Sequence, residues 1–236
     1  MTVKIIEKEM RRLSNKEKAK ILANFFKTKK GQYGAGDKFL GITVPQQRIM
    51  AKKYYQSTNL KDIQKFLDNP HHELRLLGLI ILTMQFVKAN KNEQKNIYNF
   101  YLKNIIHINN WDLVDLSAPN IAGKWLLNHD RKILYKLAQS KNIWKRRIAI
   151  ISTFAFIRTG QFNDTIKLAE ILLTDKHDLI HKAVGWMLRE VGKKNLTTLE
   201  RFLKIHYKKI PRTTLRYAIE KFSKKKRKKY LKMTAR

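Results

Sequence analysis

The chain has 236 residues, with 51 Lys and Arg against 18 Asp and Glu, so its formal net charge is +33. A folded domain tolerates such self-repulsion most readily beside a polyanion, and DNA and RNA are the commonest polyanions. A highly solvated surface is the alternative, but acidic residues should then rise together with lysine. The chain contains no cysteine, which excludes disulfides, thiolate metal sites and cysteine nucleophiles.

Neither a signal peptide nor a membrane span is predicted. Residues 1–13 are charged throughout and lack the apolar core of a signal peptide. The most apolar stretch, residues 74–87, includes Arg75 and is shorter than the ~20 residues that a membrane-spanning helix needs. We therefore expect a soluble monomer in the cytoplasm, associated with the nucleoid in a prokaryote, with no membrane partner.

The N-terminal part, residues 1–60, is predicted to be helical but irregular. Apolar residues recur at helical spacing, as at Ile21, Leu22 and Phe25. Residues 33–45 form a glycine-rich loop, and Pro45 is expected to open the next helix. The loop lacks the Lys-Ser/Thr ending of a phosphate-binding P-loop and follows no strand, so we interpret it as a structural turn, with contact to a substrate as the alternative.

The remainder of the chain shows an internal repeat. Five segments begin with a polar or aromatic cluster and continue as apolar helices, spaced 39, 33, 34 and 34 residues apart. They start at His72, Trp111, Trp144, Asp178 and Arg212. Second amphipathic helices are predicted at residues 94–106, 131–139, 165–173 and 196–206. Two helices per repeat are typical of HEAT-like solenoids.

The predicted fold is therefore all-α, a right-handed HEAT-like solenoid with one helix of each pair on a shared concave face. An irregular helical bundle is the alternative. The chain is expected to form a single domain, with repeats over residues 61–222 and a basic tail over residues 223–236. The all-basic run at residues 224–229 has two interpretations, a solvated tail or a non-specific attraction for phosphate.

One repeat helix combines an acid with an aromatic side chain. Trp111 and Asp115 lie four residues apart and should share a helix face. Pro119 cannot donate to the carbonyl of Asp115, so the helix should bend there. Asn109 or Asn110 can cap this helix, and we expect Asp112 to support its N-terminus.

The next two repeats carry cations and a further tryptophan. Arg147 falls in the first turns of its helix, while Lys182, Trp186 and Arg189 share one face of the following repeat. Because stacked helices lie ~8–10 Å apart, Asp115, Arg147 and Trp186 are expected on one concave wall. The alternatives are a structural Asp115–Arg147 ladder and tryptophans that belong to the core.

Two other residue types are assigned structural roles. Trp125 and Trp144 have apolar neighbours and are predicted to be core residues. His177 and His181 lie one turn apart, but no His-Glu-x-x-His motif accompanies them, so no metal site and no cofactor are predicted.

Four ordered segments resemble the AlkD family of DNA alkylation-repair glycosylases, over about residues 20–225. They are Phe39-Leu-Gly-Ile-Thr-Val-Pro, Asn110-Trp-Asp-Leu-Val-Asp, Asn142-Ile-Trp-Lys-Arg-Arg-Ile-Ala-Ile and Lys182-Ala-Val-Gly-Trp-Met-Leu-Arg-Glu. The family fold is a HEAT-like solenoid that holds duplex DNA on its concave face, in agreement with the repeat analysis.

The resemblance implies roles for individual residues. The catalytic aspartate of the family matches Asp115, its cleft tryptophans match Trp111 and Trp186, and its cleft arginine matches Arg147. The chain departs from the best-known member at Asn110, where that member has a second tryptophan, and in the loop of residues 33–37. These departures concern substrate preference more than activity.

The implied activity is that of a monofunctional DNA glycosylase, which removes cationic alkylated purines from double-stranded DNA. Backbone contacts are expected from the cations of three repeats, Arg147, Lys182, Arg189, Arg212 and Arg216. Two alternatives stay open: a non-catalytic solenoid that binds nucleic acid, and a protein-binding scaffold, whose partner would have to be very acidic.

Overall fold

The computed structural model describes residues 2–233, and this part of the chain is helical, with one isolated parallel β-bridge between Lys38 and His71. This part divides into two compact units, with the boundary between Ile121 and Ala122. The helices of the first unit are α1 Thr2–Arg12, α2 Lys16–Phe25, α3 Val44–Tyr54, α4 Leu60–Leu67, α5 His72–Lys88, α6 Lys91–Lys103 and α7 Trp111–Ser117. Those of the second are α8 Lys124–Leu126, α9 Lys132–Ala138, α10 Ile143–Ser152, α11 Phe154–Arg158, α12 Asn163–Leu172, α13 Asp178–Lys194, α14 Leu196–His206, α15 Arg212–Ala218 and α16 Lys224–Met233. A 3₁₀ turn spans Ile105–His107, and a π-helix spans Pro119–Gly123.

Asparagine side chains begin many of these helices. The Oδ1 atoms of Asn15, Asn59, Asn90 and Asn195 each accept a hydrogen bond from the backbone N–H three residues later, at 2.9–3.0 Å. These bonds satisfy N–H groups that have no partner within the helix, and each is worth ~1 kcal/mol. The sequence therefore fixes the helix starts through local polar residues.

Helix α5 is the centre of the first unit. Its residues from His72 to Leu82 are all buried, as is Phe86. Helices α3, α4, α6 and α7 pack against it. A helix buried on all sides cannot be amphipathic, which explains why this segment is the most apolar in the chain.

The second unit stacks helices in repeated pairs. Helix α10 packs on α9 and α12, and α13 packs on α12 and α14, while α13 also lies between α10 and α15. The approach of α13 to α15 is closest at Gly185, where a Cβ atom would lie 2.5 Å from the Cβ of Tyr217 and 2.6 Å from the carbonyl oxygen of Thr214. Only glycine fits between these two helices.

The helical-repeat fold class is confirmed. Helices begin at four of the five predicted repeat starts, His72, Trp111, Asp178 and Arg212, and Trp144 is the second residue of α10. The predicted second helices correspond to α6, α9, α12 and α14, with shifts of up to three residues at their ends. The division into a single domain with an irregular N-terminal part stays a prediction.

Three smaller expectations have different outcomes. Trp144 is a core residue, 6% exposed, as predicted. The assignment of Trp125 to the core is wrong, because this side chain is half-buried and stacks at 3.8 Å on the exposed ring of His129. The basic run lies on α16, which the buried side chain of Tyr230 anchors, whereas residues 234–236 of the predicted tail lie outside the described residues. Within residues 2–233, no helix is both long and apolar enough to cross a membrane.

Candidate functional site

Trp111 opens helix α7 and is held by aromatic neighbours. Asn110 is the N-cap residue, and its Oδ1 accepts a hydrogen bond from the backbone N–H of Trp111 at 2.9 Å. The indole stacks on the ring of Phe26 at a centroid distance of 5.2 Å and meets Phe25 edge-on at 5.9 Å. Trp111 is half-buried, so one part of the ring is fixed while another part faces solvent.

Asp115 lies one turn further along α7 and is also half-buried. It is close to the phenol of Tyr101, which donates to or accepts from the Ser117 hydroxyl at 3.1 Å. Burial, and then the charge of Asp115, raises the pKa of Tyr101 well above its usual range. The phenol of Tyr101 is therefore neutral at neutral pH.

The backbone bend predicted at Pro119 takes a definite form. Helix α7 ends at Ser117, and the chain continues as the π-helix Pro119–Gly123. A single π-helical turn inside a helical segment often marks a functional site, because it changes the direction of side chains without breaking the helix. Here it follows directly after the turn that carries Asp115.

A buried cluster, the His72 cluster, anchors the start of α7. It consists of His72, Asp37, Asp112 and Arg75. The Nδ1 atom of His72 lies 3.1 Å from Asp37 Oδ2, and its Nε2 atom lies 2.7 Å from Asp112 Oδ2. Arg75 Nη2 donates to Asp37 Oδ1 at 2.6 Å. His72 therefore links the loop before α3 to the first turn of α7, and the expected role of Asp112 is extended from helix support to a tertiary ion pair.

Two carboxylates decide the protonation state of His72. Burial by itself would lower the pKa of this histidine, but the charge of Asp112 and hydrogen bonds to Asp112 and Asp37 outweigh burial and raise it to about 9. Burial would likewise raise the pKa of Asp37, but the hydrogen bond to His72 and the charge of Arg75 lower it. The histidine is a buried imidazolium at neutral pH.

The free energy of unfolding should depend on pH through His72. Because its pKa is raised from 6.5 to about 9, this stabilisation is full below pH 6.5 and is lost as the pH rises to 9. We expect wild type to lose up to about 3 kcal/mol more over this range than His72→Gln does. Urea unfolding at pH 6, 7.5 and 9 measures the difference, with His129→Gln as an exposed control. Parallel pH curves for wild type and His72→Gln would contradict the assignment.

The predicted loop of residues 33–45 is a structural turn up to Thr43, and helix α3 begins at Val44, one residue before Pro45. Glu73, which is 1% exposed, accepts backbone N–H groups from Leu40 at 3.0 Å, Gly41 at 2.8 Å and Ile42 at 3.3 Å. Gly41 has a φ angle of +82°, and a Cβ atom there would lie 2.0 Å from the carbonyl oxygen of Asn15. The carboxylate of Glu73 thus holds this loop against the first turn of α5.

The two departures from the AlkD pattern lie against each other. Asn110 is completely buried, and its Nδ2 atom donates to Asp37 Oδ2 at 3.3 Å. The same atom lies 3.4 Å from where a Cβ on Gly34 would be. The loop and position 110 are therefore parts of one packed arrangement.

In the second unit, Arg147 is mostly enclosed. Arg147 is 5% exposed, and its Nη1 atom donates to the backbone carbonyl of Leu179 at 2.5 Å. The arginine thus joins α10 to the start of α13. A contact between Arg147 and a DNA phosphate stays a prediction.

Helix α13 carries three of the predicted residues on one face. Trp186 is half-buried beside Phe154, at a centroid distance of 5.8 Å. Lys182 pairs with Asp178 at 2.8 Å, one turn earlier. Arg189 forms ion pairs with Glu190 and Glu220, which partly neutralise the charge that it could offer to a phosphate.

The last repeat offers the most accessible of the predicted cations. Arg212 and Arg216 lie on α15 and are exposed, and Arg212 Nη1 donates to the backbone carbonyl of Leu231 at 2.7 Å. These two side chains can reach a phosphate without first leaving a buried position. Their role in DNA binding stays a prediction.

Sequence reasoning missed the His72 cluster. Its members are separated by up to 75 residues, and only the polar pair His72-Glu73 at the start of an otherwise apolar helix could have indicated it. Buried polar residues at such a helix start require partners elsewhere in the fold. Within the described residues, no group of three or more His, Cys, Asp and Glu side chains is arranged to hold a metal ion.

The fold and these residues define a class, the helical-repeat proteins with a basic surface. Comparison with known families is more specific: the family described as DNA alkylation repair enzyme matches residues 6–222, and the chain belongs to that family. This membership gives the chain a role in DNA repair, with DNA as its partner.

Solved structures of low sequence identity share the fold. A predicted DNA alkylation repair enzyme from Enterococcus faecalis is 18% identical, with a TM-score of 0.70 over 89% of this chain and 97% of that chain. AlkD2 from Streptococcus mutans is 16% identical, with a TM-score of 0.53 over 94% of this chain and 97% of that chain. The protein smu.31 from Streptococcus mutans UA159 is 18% identical, with a TM-score of 0.52 over 82% and 92% of the two chains. No curated protein matches the sequence.

Proposed function

We propose that this protein is a monofunctional DNA N-glycosylase that removes cationic alkylated purines, such as 3-methyladenine and 7-methylguanine, without a metal or cofactor. The observation that carries the proposal is the half-buried Asp115 one turn from the half-buried Trp111, in a +33 chain of a DNA alkylation repair family. A half-buried carboxylate one helical turn from an aromatic residue is unexpected in a chain with so large an excess of positive charge.

The chemistry requires little acid catalysis. A purine alkylated at N3 or N7 is positively charged, so the electron pair of the bond between N9 and the sugar C1′ leaves with the base and neutralises it. The sugar is then an oxocarbenium-like cation, which an ionised Asp115 stabilises electrostatically. Water adds to C1′ and loses a proton, for which Asp115 is the acceptor in the proposed mechanism.

Trp111 has a supporting role in the same step. The negative face of an indole attracts a cation by ~0.5–2 kcal/mol, and more when water is excluded. The ring of Phe26 stacks on Trp111 and Asn110 caps its backbone, so the indole is held in one orientation. Preorganised groups stabilise a transition state without having to reorganise during the reaction.

The second unit contributes to the proposal through its predicted residues. Trp186 is assigned a second aromatic contact with the sugar, and Arg147 a bidentate contact with a phosphate. Lys182, Arg189, Arg212 and Arg216 are assigned to other phosphates. Of these, the exposed Arg212 and Arg216 are best placed for the general attraction of DNA.

The direct test is base release. Purified protein is incubated with duplex DNA treated with a methylating agent, and free bases are separated by chromatography. We expect 3-methyladenine or 7-methylguanine in solution, above the spontaneous loss measured without protein. Release no faster than this spontaneous rate from both lesions would contradict the proposal.

A non-catalytic DNA-binding protein is the second candidate, favoured by the exposed cations of α15. It predicts an affinity for DNA that falls steeply with salt, by a factor of ~10³–10⁵ between roughly 50 and 200 mM for six to ten phosphate contacts, with no base release.

Arg216→Gln should reduce the slope of log affinity against log salt by about one, if this side chain binds a phosphate. Arg201→Gln on α14 is the matched exposed control. Equal slopes for the two variants would remove Arg216 from the DNA contact.

A further inference from the structure

The positive charge of the chain is concentrated in its last 36 residues. Residues 201–236 contain 15 Lys and Arg against one acidic residue, Glu220, so they hold 14 of the 33 net positive charges. The carboxylate of Glu220 is already paired with Arg189 and Lys221. An excess of one sign within one segment creates a local field, which attracts a polyanion to that segment.

Helix α16, Lys224–Met233, has its cations on two different faces. Tyr230 is buried and Lys226 and Arg227 are half-buried, so these positions form its inner face. The exposed positions share the opposite face, because residues four apart in a helix lie above one another. This outer lysine face consists of Lys224, Lys225, Lys228, Lys229 and Lys232. At ~1.5 Å of rise per residue, it is about 12 Å long.

The inner face docks α16 onto the second unit. The Nζ atom of Lys226 pairs with Glu200 Oε1 on α14 at 2.7 Å, and the hydroxyl of Tyr230 donates to the same oxygen at 3.3 Å. Near the end of the helix, Arg212 Nη1 on α15 donates to the carbonyl oxygen of Leu231 at 2.7 Å. The outer lysine face is therefore presented by a helix held at both ends, which favours a fixed surface over a solvated tail.

The outer lysine face has no internal charge compensation. Among residues 2–233, no carboxylate pairs with any of its five lysines, and the first turn of α16 has no acidic residue. Lysines one turn apart, such as Lys224 and Lys228, repel each other and weaken the helix. Cations in the first turn also oppose the helix macrodipole. A row of phosphates along this face would remove both penalties, so the bound polyanion would stabilise the helix.

The inner face also decides which polyanion fits. A helix that enters a membrane surface needs an exposed apolar face. The apolar residues among positions 224–232 are Tyr230, which is buried, and Leu231, which is half-buried, so α16 offers no such face over these positions. A membrane is therefore disfavoured, and a nucleic acid is favoured.

The dimensions of the outer lysine face match a DNA backbone. Each strand of duplex DNA carries one phosphate per ~3.4 Å of helix axis, so a face about 12 Å long spans about three to four phosphates. A lysine ammonium is a compact point charge that binds a phosphate without reading a base. Five lysines in this arrangement can thus bind one strand in any sequence.

We propose that the outer lysine face of α16 is a binding surface for the phosphate backbone of duplex DNA, formed by residues other than those of the proposed catalytic step. The choice of DNA rests on the family to which the chain belongs and does not require the proposed base release. The surface holds DNA equally in the ground state and the transition state. It therefore raises the affinity for DNA and leaves the rate of any reaction at saturation unchanged.

The salt dependence of DNA binding tests the five lysines together. In the five-lysine variant, Lys224, Lys225, Lys228, Lys229 and Lys232 are all replaced by glutamine. Binding of an undamaged duplex is measured by fluorescence anisotropy between about 50 and 200 mM salt. We expect the slope of log affinity against log salt to fall by about three, and the affinity near 0.1 M to fall at least about tenfold.

The matched control removes the same charge from other exposed positions. It replaces with glutamine five lysines on the second helices of three repeats, Lys91, Lys95, Lys103, Lys136 and Lys167. We expect its slope to fall by less than about one. The five-lysine variant should resist urea at least as well as wild type, because it loses repulsion and no buried contact. Equal slopes for the two variants would overturn the proposal.

Tyr230→Ala tests whether the helix must be docked. It keeps every cation but removes the buried ring that holds α16. We expect the affinity for the same duplex to fall about threefold or more, because the lysines lose their fixed positions. Circular dichroism checks that the other helices stay folded. An affinity equal to that of wild type would identify α16 as a solvated tail and overturn the docked surface.

Other polyanions and base release complete the test. If the five-lysine variant lost binding to phosphatidylserine vesicles or to duplex RNA but kept the wild-type slope for DNA, the proposal would be overturned. A reduced slope for DNA, with no base release by wild type, would support this inference and contradict the proposed function. Base release by wild type, with equal slopes for wild type and the five-lysine variant, would do the reverse.

Discussion

Asp115→Asn should slow the release of methylated purines at least about a hundredfold, while the affinity for undamaged duplex DNA stays within a few-fold of wild type. Asparagine has nearly the same size and shape as aspartate but carries no negative charge. Under the proposed mechanism that charge acts on a cation that exists only near the transition state. The rate constant for release should therefore fall, whereas binding in the ground state should not.

Single-turnover kinetics with excess protein measure this rate without interference from product release. Asp130→Asn, a loss of the same charge at an exposed position before α9, is the control and should release bases at the wild-type rate. A wild-type rate of base release for Asp115→Asn would show that the carboxylate has no part in the reaction. The structural alternative, in which Asp115 only ties helices together, predicts instead a lower unfolding midpoint with release still active.

The largest expected effect on stability belongs to Glu73→Ala, which should lower the free energy of unfolding by about 4 kcal/mol. This substitution leaves the backbone N–H groups of Leu40, Gly41 and Ile42 buried without their acceptor. Glu73→Gln should cost less, about 2–3 kcal/mol, because its carbonyl oxygen can still accept. Urea unfolding with linear extrapolation gives both values.

The control for Glu73 is a carboxylate with a local role only. Glu93 lies exposed in the first turn of α6, where it accepts the backbone N–H of Asn90 at 2.8 Å. Its replacement by glutamine should cost less than about 1 kcal/mol. If Glu73→Gln were no more destabilising than Glu93→Gln, the loop would not depend on the buried carboxylate.

Features set by neighbouring residues could be predicted from the sequence. The starts of α5, α7, α13 and α15 follow from local polar groups ahead of apolar runs, and the bend after Asp115 follows from Pro119. Helical periodicity is likewise a property of the segment itself. For this reason the helical-repeat class could be recognised although the sequence is only 16–18% identical to the three solved structures described above.

Features that depend on residues distant in the sequence could not be predicted in this way. His72 meets Asp37 and Asp112, 35 and 40 residues away, and no spacing rule connects them. The apolar neighbours of Trp125 predict a core position, but its side chain is half-buried and stacks on the exposed ring of His129. Gln47 is a further example, because its buried Oε1 atom has no hydrogen-bond partner among residues 2–233, which no local pattern in the sequence indicates.

The contact between Asn110 and Asp37 has a consequence for how such proteins diverge. A tryptophan at position 110 would need more volume than a fully enclosed asparagine occupies, and the loop beside it is fixed by buried hydrogen bonds. We therefore expect residue 110 and the loop of residues 33–37 to change together when members of this family diverge. A chimaera with the tryptophan of another family member at position 110 should fold only if it also carries that member's loop. We expect the lesion preference to change only when both parts are replaced together.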